Sequence, residues 1–307
     1  MRIIGENIHI ISPRVKRIIQ ERDTAALQKM AREQWDNGAD IIDLNIGPQK
    51  KEGVVIMEWA VDAVQEAIPQ ATISLDTTNL AAIEAGLKRC KKQAFINSVS
   101  ADEERMAAMG PVVAKYNANI VGLTMTKSGI PVSAEERVKI AMEMLIPSLA
   151  SYGVPMQNVY LDPLVLTVAG TQEYVPNAIE AVRFLKLAAD PAPNTVVGLS
   201  NVSNSVSPEN RSLINRTYLV MLLAAGLDVA IADPLDKAQN EFIRIVQQRD
   251  ASTPVGQLLI NLYDATATMT ELEPSMVDMS DPDQVAIYKT VQILMNKIIF
   301  ADSYLKM

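Results

Sequence analysis

The chain has 307 residues, 49% of them apolar, enough for one large core or two smaller domains, and no stretch of it reads as a linker. A net charge of −8 argues against a nucleic-acid surface, which needs clustered Lys and Arg to displace counterions from phosphates. A single cysteine, Cys90, excludes an internal disulfide framework and a thiolate-rich metal site, and a single histidine, His9, excludes a multi-histidine one.

In chain order, short β-branched runs alternate with amphipathic stretches. A strand near Ile3 to Ile8 is followed by the basic cluster Arg14-Lys16-Arg17, read as a solvated helix face, and by a helix from Ala25 to Asn37 behind the cap Asp23. The strand Ile41 to Ile46 leads into a helix from Val54 to Ile68, and the strand Thr72 to Asp76 into a helix from Asn79 to Cys90. A second basic face, Lys88-Arg89-Lys91-Lys92, precedes the strand Ala94 to Ser98 and the helix Glu103 to Tyr116. The strand Ile120 to Met125 is followed by a helix over Ala134 to Tyr152, announced by the capping box Ser133 and Glu136. The strands Val159 to Leu164 and Thr195 to Ser200 flank a helix from Ala178 to Ala188, and a helix from Leu213 to Ala225 precedes the strand Asp228 to Asp233. Gly38, Gly153 and Gly226 sit where left-handed helix caps are expected.

Eight strands, seven intervening helices and a further helix from Asp236 predict an α/β chain folded as one (β/α)8 TIM barrel over residues 1–307, with a C-terminal helical extension. The apolar strands suit a sheet covered on both faces. A doubly wound open sheet is the alternative, and its Gly-rich phosphate loop after the first strand is absent. Residues 249–283 are expected to form an insertion, a short helix and an acidic excursion packed on the barrel or at a dimer contact. The N-terminus reaches Glu6 too early for a signal peptide and no run approaches ~18 apolar residues, so the expectation is a cytoplasmic chain without a membrane segment.

In such a barrel, chemistry collects where the C-terminal ends of the strands meet the following loops. Those ends carry Glu6 and Asn7, Asp43 and Asn45, Asp76 and Thr77, Asn97 and Ser98, Thr124, Asp162, Ser200 and Asn201, and Asp233. A ring of amides and carboxylates with almost no cations suits a ligand rich in hydrogen-bond donors, not a phosphate. Local structure explains some of these residues as well: Asn79 suits a helix cap, and Asp162-Pro163 and Asp233-Pro234 suit turns. His9 reads as a loop or packing residue near the mouth, Cys90 as packing, and the Met-rich segments as core filler.

The stretches "GADIIDLNIGP", "SLDTTN", "FINSVS", "VYLDPL" and "VVGLSNVS" fall in order on separate strands and resemble the strand-end motifs of pterin-binding TIM barrels, in particular the methyltetrahydrofolate:corrinoid-protein methyltransferases. The resemblance runs from "IGENIH" through "LINRTYL" and "GLDVAIADP" to "ADSYLKM". It implies pterin binding by Asp76, Asn97 and Asp162, a catalytic amide at Asn201 near the methyl-bearing N5, and a pocket lined by Gly198 and Ser200. Asp76 is implied as a member of the water network that brings a proton to N5, and Asp43 and Glu6 as supports of the substrate site. The implied substrate is tetrahydrofolate or methyltetrahydrofolate. The corrinoid (cobalamin) comes with a separate corrinoid-binding protein, with no metal in this chain and a homodimer as the assembly. The implied setting is one-carbon metabolism, either a methyl-donor system of the O-demethylase or methylamine type or the acetyl-CoA pathway. Two alternatives stand beside it: a non-catalytic scaffold for pterin and corrinoid protein, and a dihydropteroate synthase-like enzyme. Against the latter, Ser200-Asn201-Val202 replaces a Ser-Arg-Lys type motif, and one cysteine cannot supply the zinc thiolates of homocysteine-using methionine synthases.

Overall fold

A computed structural model describes residues 1–306. Eight parallel strands, β1 (Arg2–Gly5), β2 (Ile41–Asn45), β3 (Thr72–Asp76), β4 (Phe95–Ser100), β5 (Asn119–Leu123), β6 (Val159–Asp162), β7 (Asn194–Gly198) and β8 (Val229–Ala232), close into a barrel in sequence order. Closure is made by β1 on β8, with Ile4 opposite Ile231.

Side chains of a strand alternate between its two faces, and this alternation sorts every strand into an outer and an inner set. Ile42 and Leu44 of β2, Ile73 and Leu75 of β3, and Ile96 of β4 pack outward into one cluster with the helices. Val197, Ala230 and Ala232 do the same in a second cluster on the other side of the barrel. The inner set forms its own cluster, Ile4, Ile41, Phe95, Val121, Tyr160, Val196 and Val229. Arg2 plugs the N-terminal end: its guanidinium donates to the Tyr160 hydroxyl at 2.6 Å and lies 5.5 Å from the centre of the Phe95 ring. With that end filled, the barrel interior opens at the C-terminal mouth.

The first half carries α1 (Pro13–Glu21), α2 (Thr24–Asp36), α3 (Gly53–Ala67), α4 (Leu80–Arg89) and α5 (Glu103–Tyr116). After β5 come α6 (Ala134–Ile140) and α7 (Ile146–Ser151), joined by a π turn over Ala141–Leu145. The sequence reads this region as one helix; Pro147 has no N–H for the Glu143 carbonyl, and the widened turn accommodates that missing bond. The short α8 (Val168–Thr171), α9 (Pro176–Leu187) and α10 (Pro208–Ala224) complete the ring, and α11 (Lys237–Gln248), α12 (Pro254–Ala267) and α13 (Pro282–Leu294) follow β8. Asp23, Asn79 and Ser133 accept from the amides of Ala26, Ala82 and Glu136, as their cap patterns predict. Gly38, Gly153 and Gly226 adopt the positive φ expected of them.

Residues 249–283 form α12 and the approach to α13. Leu258, Leu259 and Leu262 of α12 and Ile287, Val291 and Leu294 of α13 join the outer cluster that also contains strands β7 and β8. No helix among the described residues is long and apolar enough to cross a membrane.

Candidate active site

The alternation that places the apolar plug also places the polar mouth. Two residues beyond Ile41 on the inner face is Asp43, and two further is Asn45; Asp76, Asn97 and Asp162 occupy the same upper layer on β3, β4 and β6. Strand pairing sets Asn45 beside Asp76 and Asp76 beside Asn97. The Asn45 amide donates to Asp76 Oδ2 at 2.5 Å, while its own Oδ1 accepts from the Gly47 amide at 3.2 Å. Asp76 is therefore held by one oxygen, with the other left for a ligand. Asn97 Nδ2 donates to Asp43 Oδ1 at 3.5 Å, which makes Asp43 a support beneath Asn97. The register against β5 shifts between Asn97 and Val99, and the Asn97–Ser98 peptide is cis.

Burial dominates the ionisation of these acids. It pushes Asp76 up to about 6, against the opposing pull of the Asn45 hydrogen bond. Asp43, fully enclosed and next to Asp76, is driven well above the carboxylate range. Asp162 is 5% exposed, and burial pushes it up to about 7 although the Leu164 amide donates to its Oδ1 at 2.7 Å and the Gly198 amide and the Arg137 charge pull the other way.

Arg137 is 0% exposed and spends its donors on backbone, giving Nη1 to the Leu164 carbonyl at 3.1 Å and Nε to that of Pro131 at 2.9 Å. These bonds fix the loop after β6, where Leu164 takes a left-handed φ of 67° that a branched side chain rarely adopts. The cation thus shapes the Asp162 loop from behind.

Across the barrel, Ser200 donates to Glu6 Oε2 at 2.9 Å and the Asn7 amide to Asp233 Oδ1 at 2.8 Å. Burial pushes Glu6 up to about 7, with the Ser200 bond lowering it and the nearby Asp233 charge raising it further. Asn201 lies in the 3-10 turn Leu199–Ser203 that leaves β7. Its Oδ1 accepts from Asn204 Nδ2 at 3.2 Å, which directs its own NH2 group away from Asn204. A Cβ on Gly198 would stand 2.9 Å from that nitrogen, so any other residue there displaces the amide from this position.

The expected residues therefore fall into two walls of one mouth. Asp43, Asp76 and Asn97 form the β2–β4 wall, where Asp76 and Asn97 open on a cleft of about 400 Å³ with Thr78, Ser98, Arg105 and Met125. Asp162, Gly198, Ser200, Asn201 and Glu6 form the β6–β7–β1 wall. One expectation needs correction: cations do stand at the mouth, namely Arg137 behind Asp162, Arg211 near Glu6, and Arg105 in the cleft. They come from helices, where sequence shows only an ordinary solvated face. His9 Nδ1 accepts from the Ile11 amide at 3.2 Å and serves its own loop. Cys90 ends α4, and burial pushes its thiol up to about 12.

The model of the family described as pterin binding enzyme matches residues 12–233. The chain is 27% identical over 242 residues to the methylcorrinoid:tetrahydrofolate methyltransferase of Eubacterium limosum, covering 77% of this chain and 86% of that one. It is 28% identical over 273 residues to the methionine synthase of Mycobacterium tuberculosis, covering 82% of this chain but only 22% of that longer protein. Among solved structures, dihydropteroate synthase from Thermus thermophilus shares the fold with a TM-score of 0.56 at 20% identity, over 79% of this chain and 92% of its own. With the family match spanning most of the barrel, the chain belongs to the pterin-binding enzymes.

Proposed function

We propose that the protein transfers a methyl group between N5 of tetrahydrofolate and the cobalt of a corrinoid carried by a separate protein. The observation that carries this reading is the meeting at one barrel mouth of acceptors on both walls, Asp76 with Asn97 on one and Asp162 on the other, with a free amide donor, Asn201. The 2-amino group and ring N–H of a pterin are donors, and buried carboxylates recognise them well because each also regains its charge on accepting those bonds. Asn97 can serve a mixed donor and acceptor edge. Asp43 orients Asn97, and Glu6 orients Ser200 next to Asn201.

When the methyl group leaves N5, the C–N bond breaks and N5 departs as a neutral amine only if it has gained a proton. The Asn201 amide has no proton to give as an acid, so its role is to hold N5 in place and stabilise charge there, worth about 10²–10³ in rate by analogy with other preorganised donors. Asp76, held by Asn45 through one oxygen, is suited to order the water network through which a proton reaches N5 from solvent. The corrinoid cobalt, brought by the partner, supplies the methyl acceptor or donor.

The same reading makes the native partner a corrinoid-binding protein and the setting a cytoplasmic methyl-donor or acetyl-CoA route, with the chain working as a homodimer. A dihydropteroate synthase-like reaction expels pyrophosphate and calls for cations where Ser200, Asn201 and Val202 stand. The test is an anaerobic absorbance assay with methyltetrahydrofolate and Co(I) cobalamin, following methylcobalamin formation in both directions. Multiple turnovers with catalytic protein support the transferase. Methyltetrahydrofolate binding without turnover, with the native corrinoid protein also present, would replace it with a binding scaffold.

A further inference from the structure

The cleft that contains Asp76 and Asn97 carries three kinds of lining: these acceptors at the strand ends, the apolar Leu123 and Met125, and a cation, Arg105, on the first turn of α5. Arg105 is partly buried and, among the described residues, makes no hydrogen bond and no ion pair. Acids surround it in sequence, yet none pairs with it: Glu103 is exposed and makes no ion pair, and the other two are engaged elsewhere. Asp102 accepts the Ser100 hydroxyl at 2.6 Å, and Glu104 pairs with Lys127 at 3.2 Å. A partly buried guanidinium left unpaired beside a polar cleft is a fork-shaped site for a carboxylate.

We propose that Arg105 binds the carboxylate tail of the substrate and so selects a tailed folate over a bare pterin. This rests on the methyl-transfer reading above. A folate carries a p-aminobenzoyl group ending in glutamate, hence an aromatic ring and two carboxylates beyond the pterin. Such a tail entering a cleft lined by Asp76 and Asp102 on a chain of net charge −8 meets repulsion unless a cation faces it. Arg105 is the cation in this cleft, and Leu123 and Met125 offer the apolar surface that the ring between the two polar ends requires.

The test is calorimetric binding of 5-methyltetrahydrofolate and of tailless 5,6-dimethyltetrahydropterin to the wild-type chain, Arg105→Gln and Arg105→Lys, with circular dichroism to confirm folding. Wild-type protein should prefer the folate, and Arg105→Gln should weaken folate binding about tenfold or more, the size of one lost charged hydrogen bond, while leaving the tailless pterin unchanged. Arg105→Lys should keep part of the preference, and added salt should shrink it. Unchanged folate affinity in Arg105→Gln, or an equal loss for both ligands, would overturn the proposal. If the wild-type chain binds neither ligand, the pterin reading itself falls; if it binds the bare pterin as well as the folate, only the tail assignment does.

Discussion

Asp162→Asn separates what the site costs in stability from what it contributes to binding. Asp162 is buried, and its pKa moves from an ordinary 3.8 to about 7. A group whose folded pKa lies above its unfolded value stabilises the fold fully below about pH 4 and loses that contribution as pH rises through 7. Integrated between about pH 5 and pH 8, this one carboxyl removes roughly 2 to 3 kcal/mol from the wild-type folding free energy. Asparagine keeps an Oδ1 for the Leu164 amide and does not titrate, so the variant should lack that loss and be the more stable protein near pH 8. Urea unfolding at the two pH values measures the difference, with m held equal as the control. Parallel stability profiles for the two proteins would refute the claim that burial of Asp162 is what raises it. In the same variant, an amide presents donors where the ligand presents donors, so methyltetrahydrofolate affinity should fall by tenfold or more even as stability rises.

Binding of methyltetrahydrofolate near pH 6 should release protons, because ligand N–H groups accepted by Asp76 and Asp162 draw both carboxyls toward the charged form from starting values of about 6 and 7. Binding enthalpies measured in buffers of different ionisation heat report that number, and buffer-independent heats would count against direct carboxylate contact. Asn201→Ala should keep methyltetrahydrofolate affinity within about threefold and slow single-turnover methyl transfer about 10²-fold; equal losses in both would contradict a transition-state role. Gly198→Ala puts a methyl group 2.9 Å from the Asn201 amide nitrogen, so it should lower turnover much as Asn201→Ala does, and full activity would show that the amide has room to move.

Much of this site is readable from sequence because a barrel strand has a period of two and ends at its functional edge. Counting upward from Ile41 by twos gives Asp43 and Asn45 without a structure, and the paired motifs around Asp76, Asn97 and Asp162 follow the same arithmetic. Strands β2, β6 and β7 end sooner than the apolar runs suggest: Ile46, Leu164 and Ser200 lie beyond the ladder, where the polar ends turn into loops, while β3 has its expected bounds and β4 runs on to Ser100. Contacts between distant segments are what the sequence hides. Nothing in "EERVKI" says that Arg137 reaches the Leu164 carbonyl, and nothing near Arg105 says that Asp102 and Glu104 have other partners. Asp43, read from its place in the polar ring as a support of the pterin site, lies buried and accepts from Asn97, a partner that the sequence does not name.

The disposition of charge explains why a barrel mouth rich in acids can remain folded and still recognise a neutral heterocycle. Three carboxyls there, Glu6, Asp76 and Asp162, have pKa values of about 7, 6 and 7, so near neutrality a large fraction of them is uncharged and the mutual repulsion of the ring is relieved. Arg137 does not neutralise Asp162 by direct pairing; it is committed to three backbone carbonyls, which preserves both the loop geometry and the acceptor capacity of the acid. Had that cation paired with Asp162, the carboxylate would be permanently charged and its oxygens already occupied, leaving little for a ligand to add. An unpaired, proton-poised acid instead gains most of its electrostatic stabilisation when a donor-rich ligand arrives. The free energy withheld from folding becomes free energy of recognition, which is why the stabilising substitution at Asp162 and the loss of binding are expected in one and the same variant.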